Sequence, residues 1–114
     1  MHYRFTIVVP VYNEEDNLIR VEEELLAYTK IAKEPTKILF VNDGSKDNSQ
    51  ELIETICSRQ TNFSFLLFSE NRGLSAAIKA GFDYTETELV GYIDSDLQTA
   101  PEDFNKLLEQ IEAY

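Results

Sequence analysis

Four short apolar segments alternate along the chain with longer segments in which apolar residues recur every three or four positions. The short segments are rich in β-branched and aromatic residues, a composition typical of strands buried on both faces of a sheet. Each longer segment carries one apolar stripe, as amphipathic helices do. The sequence therefore predicts four strands and four helices in alternation. The predicted strands are Phe5–Tyr12, Lys37–Val41, Phe63–Phe68 and Leu89–Ile93.

Strands that alternate with helices at this spacing predict an α/β fold, because a right-handed helical crossover returns the chain to a parallel neighbouring strand. We expect a Rossmann-like parallel sheet with helices on both faces. Pro10 has no N–H to donate, so it should lie at the end of the first strand or at a bulge. The fourth helix is expected after Thr99 and Glu102, which resemble a capping box.

Polar residues follow all four predicted strands. Ligands of open parallel sheets bind beyond the carboxyl ends of the strands, which lie along one edge. We therefore expect these polar segments to border a single cleft. In chain order they are Tyr12-Asn13-Glu14, Asn42-Asp43-Gly44-Ser45, Glu70-Asn71-Arg72 and Asp94-Ser95-Asp96.

Charge and composition narrow the range of partners. Ten Lys and Arg against 21 Asp and Glu give a net charge of −11, which argues against a nucleic-acid partner. A phosphate-bearing ligand could still bind through a metal ion or backbone amides. The 114 residues suit one domain, and no apolar run approaches the ~20 residues of a membrane helix. The single Cys57 excludes an internal disulfide and fits a reducing compartment.

Asp94-Ser95-Asp96 offers the most specific chemical hypothesis. Two carboxylates one residue apart, at the end of a buried strand, can hold a hard divalent cation such as Mg²⁺ or Mn²⁺. Gln98 could add a carbonyl oxygen to the same ion. The alternative is a polar turn that caps the following helix, since the motif by itself is short. Its position directly after a buried strand favours the metal.

The other strand ends have a binding interpretation and a structural one. Asp43 could accept a hydrogen bond from the N–H of a nucleobase, or it could cap the second helix. Tyr12 could lie against a base or ribose. Glu14 could bind a ribose hydroxyl, or it could only favour the dipole of the first helix. Arg72 could offset the charge of a diphosphate, or it could belong to a simple turn between strand and helix.

Taken together and in this order, the motifs resemble those of the inverting family-2 glycosyltransferases, which have a nucleotide-sugar-binding GT-A fold. The Asp94–Gln98 segment followed by Pro101-Glu102 is most similar to the polyprenyl-phosphate sugar transferases of the dolichyl-phosphate mannose synthase type. The resemblance extends over nearly the whole chain. The motifs that carry it are Val9–Glu14, Val41–Ser45, Asn71–Gly73 and Asp94–Gln98.

The resemblance implies a sheet in the order 3-2-1-4 and a hexosyltransferase activity. The donor would be a UDP- or GDP-linked sugar, and the acceptor a polyprenyl phosphate or a cell-surface glycan. Mg²⁺ or Mn²⁺ would assist departure of the nucleoside diphosphate. The resemblance assigns to the metal Asp94, Asp96 and Gln98, and to the nucleotide sugar Pro10, Tyr12, Glu14, Val41, Asp43, Asp94, Ser95 and Asp96.

Two features depart from the family pattern. Asn42 stands where the family usually has Asp, which we expect to matter little because Asp43 is retained. The sequence also stops after the fourth predicted helix, before the acceptor-binding half of the family. We therefore expect residues 1–114 to be one nucleotide-sugar-binding domain of a truncated transferase, inactive alone, with its general base beyond residue 114. The full-length protein would be cytoplasmic, either free or at the cytoplasmic face of the membrane.

Other classes of protein make different demands on the sequence. A nucleotide-sugar-binding module without turnover would carry the same motifs and stays an alternative. A signalling receiver domain needs a phosphoacceptor Asp at the end of its third strand, which here is followed by Ser69-Glu70. A dinucleotide dehydrogenase needs a Gly-x-Gly-x-x-Gly segment after its first strand, and none is present. The sugar, the base (uracil or guanine) and the acceptor stay open.

The fourth strand, Leu89–Ile93, carries no charged residue and is expected at one edge of the sheet. The free N–H and C=O groups of an uncharged edge strand can pair with another chain. We therefore expect a homodimer or another self-associated form.

Overall fold

The computed structural model of the chain describes residues 2–93, which form four strands and three helices in alternation. The predicted fourth helix lies outside the described residues. Each predicted strand is found within one residue of its predicted ends. In chain order the elements are β1 Phe5–Val11, α1 Leu18–Ile31, β2 Thr36–Asn42, α2 Ser49–Arg59, β3 Phe63–Leu67, α3 Leu74–Tyr84 and β4 Leu89–Tyr92.

The four strands form one parallel sheet in the order β3-β2-β1-β4, which confirms the predicted fold class and strand order. β1 pairs along its whole length with β2, but only Phe5–Val8 pair with β4. The Val8 carbonyl accepts a hydrogen bond from the Ile93 N–H. Because backbone groups alternate in direction along a strand, the N–H and C=O groups of the even-numbered residues of β1 point toward β4. Pro10 belongs to this set and lies past the last β4 pair, near the end of β1, where its missing N–H interrupts no described ladder.

The helices lie on opposite faces of the sheet because the chain reverses its direction of travel across it. It moves from β1 through β2 to β3 and then returns past β1 to β4, and right-handed crossovers in opposite directions use opposite faces. α1 and α2 cover one face, where Leu25 and Ile53 are buried. α3 covers the other, where Ala77 packs in a smaller core. A Cβ on Gly81 of α3 would lie 2.5 Å from Val8 Cγ1, so this glycine lets α3 approach the sheet.

An ion pair between the buried Glu22 carboxylate and the exposed Arg59 guanidinium joins α1 to the end of α2. Glu22 is almost fully buried, and both of its carboxylate oxygens accept hydrogen bonds from the Arg59 guanidinium. Gln60 Nε2 donates to the same carboxylate at 3.1 Å. The hydrogen bond from Arg59 holds the pKa of Glu22 below its usual value, against the effect of burial. Burial, with the nearby Glu22 charge, raises the pKa of Cys57 to about 11, so the thiol stays protonated.

β4 forms one edge of the sheet, and β3 forms the other, within residues 2–93. Tyr92 is half exposed there. Light scattering at physiological salt is expected to give a mass above 13.1 kDa, and Tyr92→Lys should lower it because a charge opposes strand pairing. Leu67→Lys, an exposed position on the opposite edge, should leave the mass unchanged. A wild-type chain that stays monomeric at high concentration would refute the predicted association.

Candidate functional site

The loop after β1 and the loop after β2 are joined through Asn13. Its backbone has a φ of +52°, a left-handed conformation that Asn tolerates better than most residues. Its N–H donates to Ser45 Oγ at 2.9 Å, and its Oδ1 accepts the Lys46 N–H at 2.8 Å. These two reciprocal hydrogen bonds fix the first two strand-end loops to each other.

Three more hydrogen bonds continue this junction toward the two helices. The Glu14 N–H donates to Ser49 Oγ at 2.9 Å, and the Glu15 N–H donates to Asp47 Oδ2 at 3.2 Å. In return, Glu15 Oε2 accepts the Asn48 N–H at 3.2 Å. Burial raises the pKa of Asp47, but hydrogen bonds from Ser49 and Glu15 outweigh it and hold the pKa below its usual value. The starts of α1 and α2 are therefore positioned as one unit.

The third loop is held by Asp43, of which only 4% is exposed. Its Oδ1 accepts the Arg72 N–H at 2.7 Å, while its Oδ2 accepts the Gly73 N–H at 3.0 Å and Asn71 Nδ2 at 3.1 Å. Asp43 therefore fixes the start of α3, not α2, for which the sequence offered it as a cap. A carboxylate has about four acceptor positions, so these three donors leave one position of Asp43 without a described partner. Asp43 itself is not among the residues that line the cleft described below.

Gly44 lets the second and third loops approach each other. It has a φ of +69°, and a Cβ at this position would lie 2.4 Å from the carbonyl carbon of Glu70 and 2.5 Å from the backbone nitrogen of Asn71. Only a residue without a side chain allows this separation of the two backbones.

The joined loops border a cleft of about 480 Å³ at the carboxyl edge of the sheet. Tyr12, 43% exposed, lies at the end of β1 and supplies an aromatic surface. The Arg72 guanidinium lies 4.8 Å from the centre of the Phe68 ring, which also lines the cleft. The cleft thus combines rings, amides and charged groups. Its lining residues are Tyr12, Gly44, Ser45, Lys46, Gln50, Leu67, Phe68, Ser69, Glu70 and Asn71.

The remaining predicted ligand residues of the first two strands are less accessible. Glu14 is half-buried, and its Oε2 accepts a hydrogen bond from Asn17 Nδ2 at 2.7 Å. Pro10 and Val41 are buried, and the Val41 side chain belongs to the core under α3. A contact between either buried residue and a ligand stays a prediction, and it would have to use the main chain.

The predicted metal ligands Asp94, Asp96 and Gln98, together with Ser95, lie outside the described residues. The part of the chain that the structure describes ends at Ile93, whose N–H bonds to Val8 beside β1. Between residues 2 and 93, no three His, Cys, Asp or Glu side chains gather to form a metal site. In the same range, no helix is long and apolar enough to cross a membrane.

Sequence reasoning assigned no contact to three residues that shape the cleft: Asn13, Lys46 and Gln50. The sequence indicates Asn13 only as part of a strand exit, although its type is enriched at positive φ. Lys46 and Gln50 lie in the second loop and the first turn of α2, and no predicted ligand role falls on either residue. Their role follows from the fold alone.

A parallel sheet of this order, with joined polar loops around a cleft at its carboxyl edge, defines an α/β domain of the doubly wound type. Comparison with known families is more specific. The model of "Glycosyl transferase family 2" matches residues 6–114, and the chain belongs to this family.

Curated relatives agree with the family. The chain is 40% identical over 113 residues to an uncharacterized glycosyltransferase, YkcC, of Bacillus subtilis, covering 99% of this chain and 34% of that protein. It is 36% identical over 110 residues to an undecaprenyl-phosphate 4-deoxy-4-formamido-L-arabinose transferase of Yersinia enterocolitica, covering 96% and 34%. The chain thus spans about a third of the length of these relatives.

Solved structures share the fold at lower identity. A mannosyltransferase from Pyrobaculum calidifontis, in complex with GDP-Man and Mn²⁺, superimposes with a TM-score of 0.72 at 19% identity, covering 84% of this chain and 28% of the other. S. aureus TarS 1-349 in complex with UDP gives a TM-score of 0.67 at 22% identity, covering 94% and 32%.

Proposed function

We propose that residues 1–114 form the nucleotide-sugar-binding domain of a hexosyltransferase that uses a nucleoside-diphosphate sugar as donor. The observation that carries this proposal is the junction of three strand-end loops around one cleft, in a chain that belongs to a glycosyltransferase family. Asn13 and Asp43 each bridge two loops, so the cleft walls are already in place before a ligand binds. Preorganised walls reduce the entropy cost of binding.

The nucleoside would occupy the cleft beside Tyr12, with its base near Asp43. Tyr12 offers an exposed ring for stacking, and Asp43 keeps one free acceptor position for a base N–H. Glu14 follows Tyr12 by two residues and would bind the ribose, giving up the hydrogen bond that it accepts from Asn17. The two structures cited above, one with GDP-Man and one with UDP, support a nucleotide ligand for this fold.

The diphosphate would bind through a divalent metal, Mg²⁺ or Mn²⁺. We assign its protein ligands to Asp94, Asp96 and Gln98, with Ser95 beside the diphosphate. Bound there, the metal would stabilise the negative charge of the leaving nucleoside diphosphate. A metal would also explain how a chain with a net charge of −11 accepts an anionic donor. The presence of Mn²⁺ in the mannosyltransferase complex supports this assignment.

The acceptor of the whole enzyme would be a polyprenyl phosphate. Relatives named undecaprenyl-phosphate sugar transferases, at 33–40% identity, support this choice over a cell-surface glycan. Such an acceptor would place the full-length protein at the cytoplasmic face of the membrane, where nucleotide sugars are soluble reactants. The general base and the acceptor site would lie beyond residue 114. The 114-residue chain would then bind the donor without transferring sugar, a binding module within a larger enzyme.

Titration calorimetry of UDP and GDP, with and without Mn²⁺, tests the proposal directly. We expect one of the two nucleotides to bind in a Mn²⁺-dependent manner, and Asp96→Ala to abolish that dependence without changing the thermal unfolding midpoint. Asp16→Ala, an exposed carboxylate after β1, is the matched control and should bind like wild type. Equal Mn²⁺-dependent affinity of Asp96→Ala and wild type would show that the metal assignment is wrong.

A further inference from the structure

The side-chain amide of Asn42 has only one orientation that satisfies its neighbours. Asn42 is fully buried at the end of β2. Its Oδ1 accepts the backbone N–H of Ser45 at 3.0 Å, and its Nδ2 donates to Gln50 Oε1 at 2.9 Å. Because a backbone N–H can only donate, the atom facing Ser45 must be the oxygen. The Asn42 NH₂ group must then face Gln50.

This orientation determines that of Gln50 in turn. Only an oxygen can receive the hydrogen bond from Asn42 Nδ2, so Gln50 Oε1 faces Asn42 and Nε2 is the other end of the amide. Gln50 lines the cleft. No described group is bonded to Gln50 Nε2, so its N–H groups can serve a ligand. The Ser45 backbone N–H, acting through the Asn42 side chain, thus determines which end of the Gln50 amide is free to bind a ligand.

The same reasoning gives the opposite polarity to Asn71, another residue of the cleft wall. Its Nδ2 donates to the Asp43 carbonyl at 3.3 Å and to Asp43 Oδ2 at 3.1 Å, both of which can only accept. Asn71 Oδ1 is therefore the end left for a ligand. One cleft carries both a fixed donor on Gln50 and a fixed acceptor on Asn71.

We propose that Asn42 is a positioning residue that makes Gln50 a hydrogen-bond donor to a carbonyl oxygen of the nucleobase, and thereby selects keto bases. This inference rests on the proposed nucleotide-sugar function. Uracil and guanine present a C=O beside an N–H, which requires one donor and one acceptor from the protein. Cytosine and adenine present the reverse pattern, an amino group beside an unprotonated ring nitrogen. Gln50 as the donor, with Asp43 or its hydrogen-bonded neighbour Asn71 as the acceptor, fits the first pair.

A base carbonyl is a better partner for Gln50 than a phosphate oxygen because of what else lines the cleft. Leu67, Phe68 and Tyr12 provide apolar and aromatic surfaces that suit the faces of a base. The exposed Glu70 carboxylate in the same cleft would repel a phosphate. Among the described residues that line the cleft, Lys46 is the one cation.

The hydrogen bonds that lead from the Ser45 N–H through Asn42 to Gln50 form a relay. Asn42→Asp tests this relay because it keeps the acceptor for Ser45 but removes the donor to Gln50. Gln50 would then rotate its amide to donate to the new carboxylate, which leaves its oxygen toward the cleft. The quantity to measure is the affinity for a keto nucleotide divided by that for its amino counterpart, UDP over CDP or GDP over ADP. We expect this ratio to fall about tenfold, which corresponds to one hydrogen bond of about 1.4 kcal/mol. The ratio cancels the electrostatic effect of the new charge, since both nucleotides carry the same charge.

Two further measurements separate this mechanism from others. In a Gln50→Ala background, Asn42→Asp should no longer change the ratio, because the relay has no end residue. With the nucleosides uridine and cytidine, or guanosine and adenosine, the shift should persist, whereas a phosphate contact would make it disappear. If Asn42→Asp fails to fold, Gln50→Glu gives the same test, since it keeps an acceptor for Asn42 and replaces the NH₂ by oxygen.

The outcomes distinguish this inference from the proposed function. Wild-type chain that binds neither UDP nor GDP would refute the function itself. Keto nucleotides that bind to wild type, with an unchanged ratio in both Asn42→Asp and Gln50→Glu, would refute only the relay. A ratio that falls equally with and without Gln50 would also refute it, because Asn42 would then act by another route.

Discussion

Asp43→Ala is expected to lower the free energy of unfolding by about 3 kcal/mol and to weaken nucleotide binding at the same time. The carboxylate accepts the backbone N–H groups of Arg72 and Gly73 and the side chain of Asn71, and it is almost fully buried. A partly buried donor left without its acceptor costs about 1–3 kcal/mol, and alanine leaves two backbone donors in that state. Binding should fall because the third loop loses its position and the base loses an acceptor. Urea unfolding and calorimetry measure the two effects.

Asp43→Asn tests the anchoring of the third loop with a smaller change of shape than alanine. It keeps the shape and one oxygen, so it should cost less stability than alanine while still placing an NH₂ group against a backbone donor. Asp16→Ala, on an exposed carboxylate of the first loop, should leave both measurements unchanged. An Asp43→Ala protein as stable as wild type would contradict the anchoring role, whatever its affinity for nucleotides.

Gly44→Ala is expected to lower the free energy of unfolding by about 3–5 kcal/mol. Left-handed backbone costs alanine about 1 kcal/mol, and the added Cβ would overlap the backbone of Glu70 and Asn71, which cannot move as a flexible side-chain end could. The two loops would have to separate, and the cleft would widen with them. Thermal and urea unfolding measure the loss, and nucleotide affinity should decline in parallel.

Gly73→Ala is the matched control for Gly44→Ala. Gly73 also has a positive φ, +99°, but nothing lies within 4 Å of the position its Cβ would take. Its substitution therefore adds backbone strain without overlap, about 1–3 kcal/mol. If both variants lost the same stability, the close approach of the second and third loops would have no energetic consequence.

The fold was predictable from the sequence because its signals are local. The β-branched run from Phe5 to Val11 and the stripe of Leu18, Val21 and Leu25 show their periods within a few residues, and all are buried in the structure. The strand order came from the family resemblance, which rests on motifs at the strand ends. Handedness then explains why α3 covers the face that α1 and α2 leave free.

The site was predictable only as a set of residues, not as a set of contacts. Asp43 was identified as a functional candidate, but its partners lie 28–30 residues further along the chain, and no local pattern pairs them. Asn42 was expected to matter little because the neighbouring Asp43 of the family pattern is retained. Its importance for cleft polarity depends on Ser45 and Gln50 facing it in space, which residue types alone do not show.

The joined loops also constrain how this domain could be diversified or engineered. Loops that connect strands and helices usually tolerate insertions and sequence changes, because they run over the protein surface. Here side-chain oxygens of one loop accept hydrogen bonds from backbone N–H groups of the next. The pairs are Asn13 with Lys46, Glu15 with Asn48, and Asp43 with Arg72. A single loop with different residues at these positions would leave donors of its neighbour without partners. New specificity on this scaffold would therefore have to arise by point substitutions on the cleft surface, or by transplanting all three loops together.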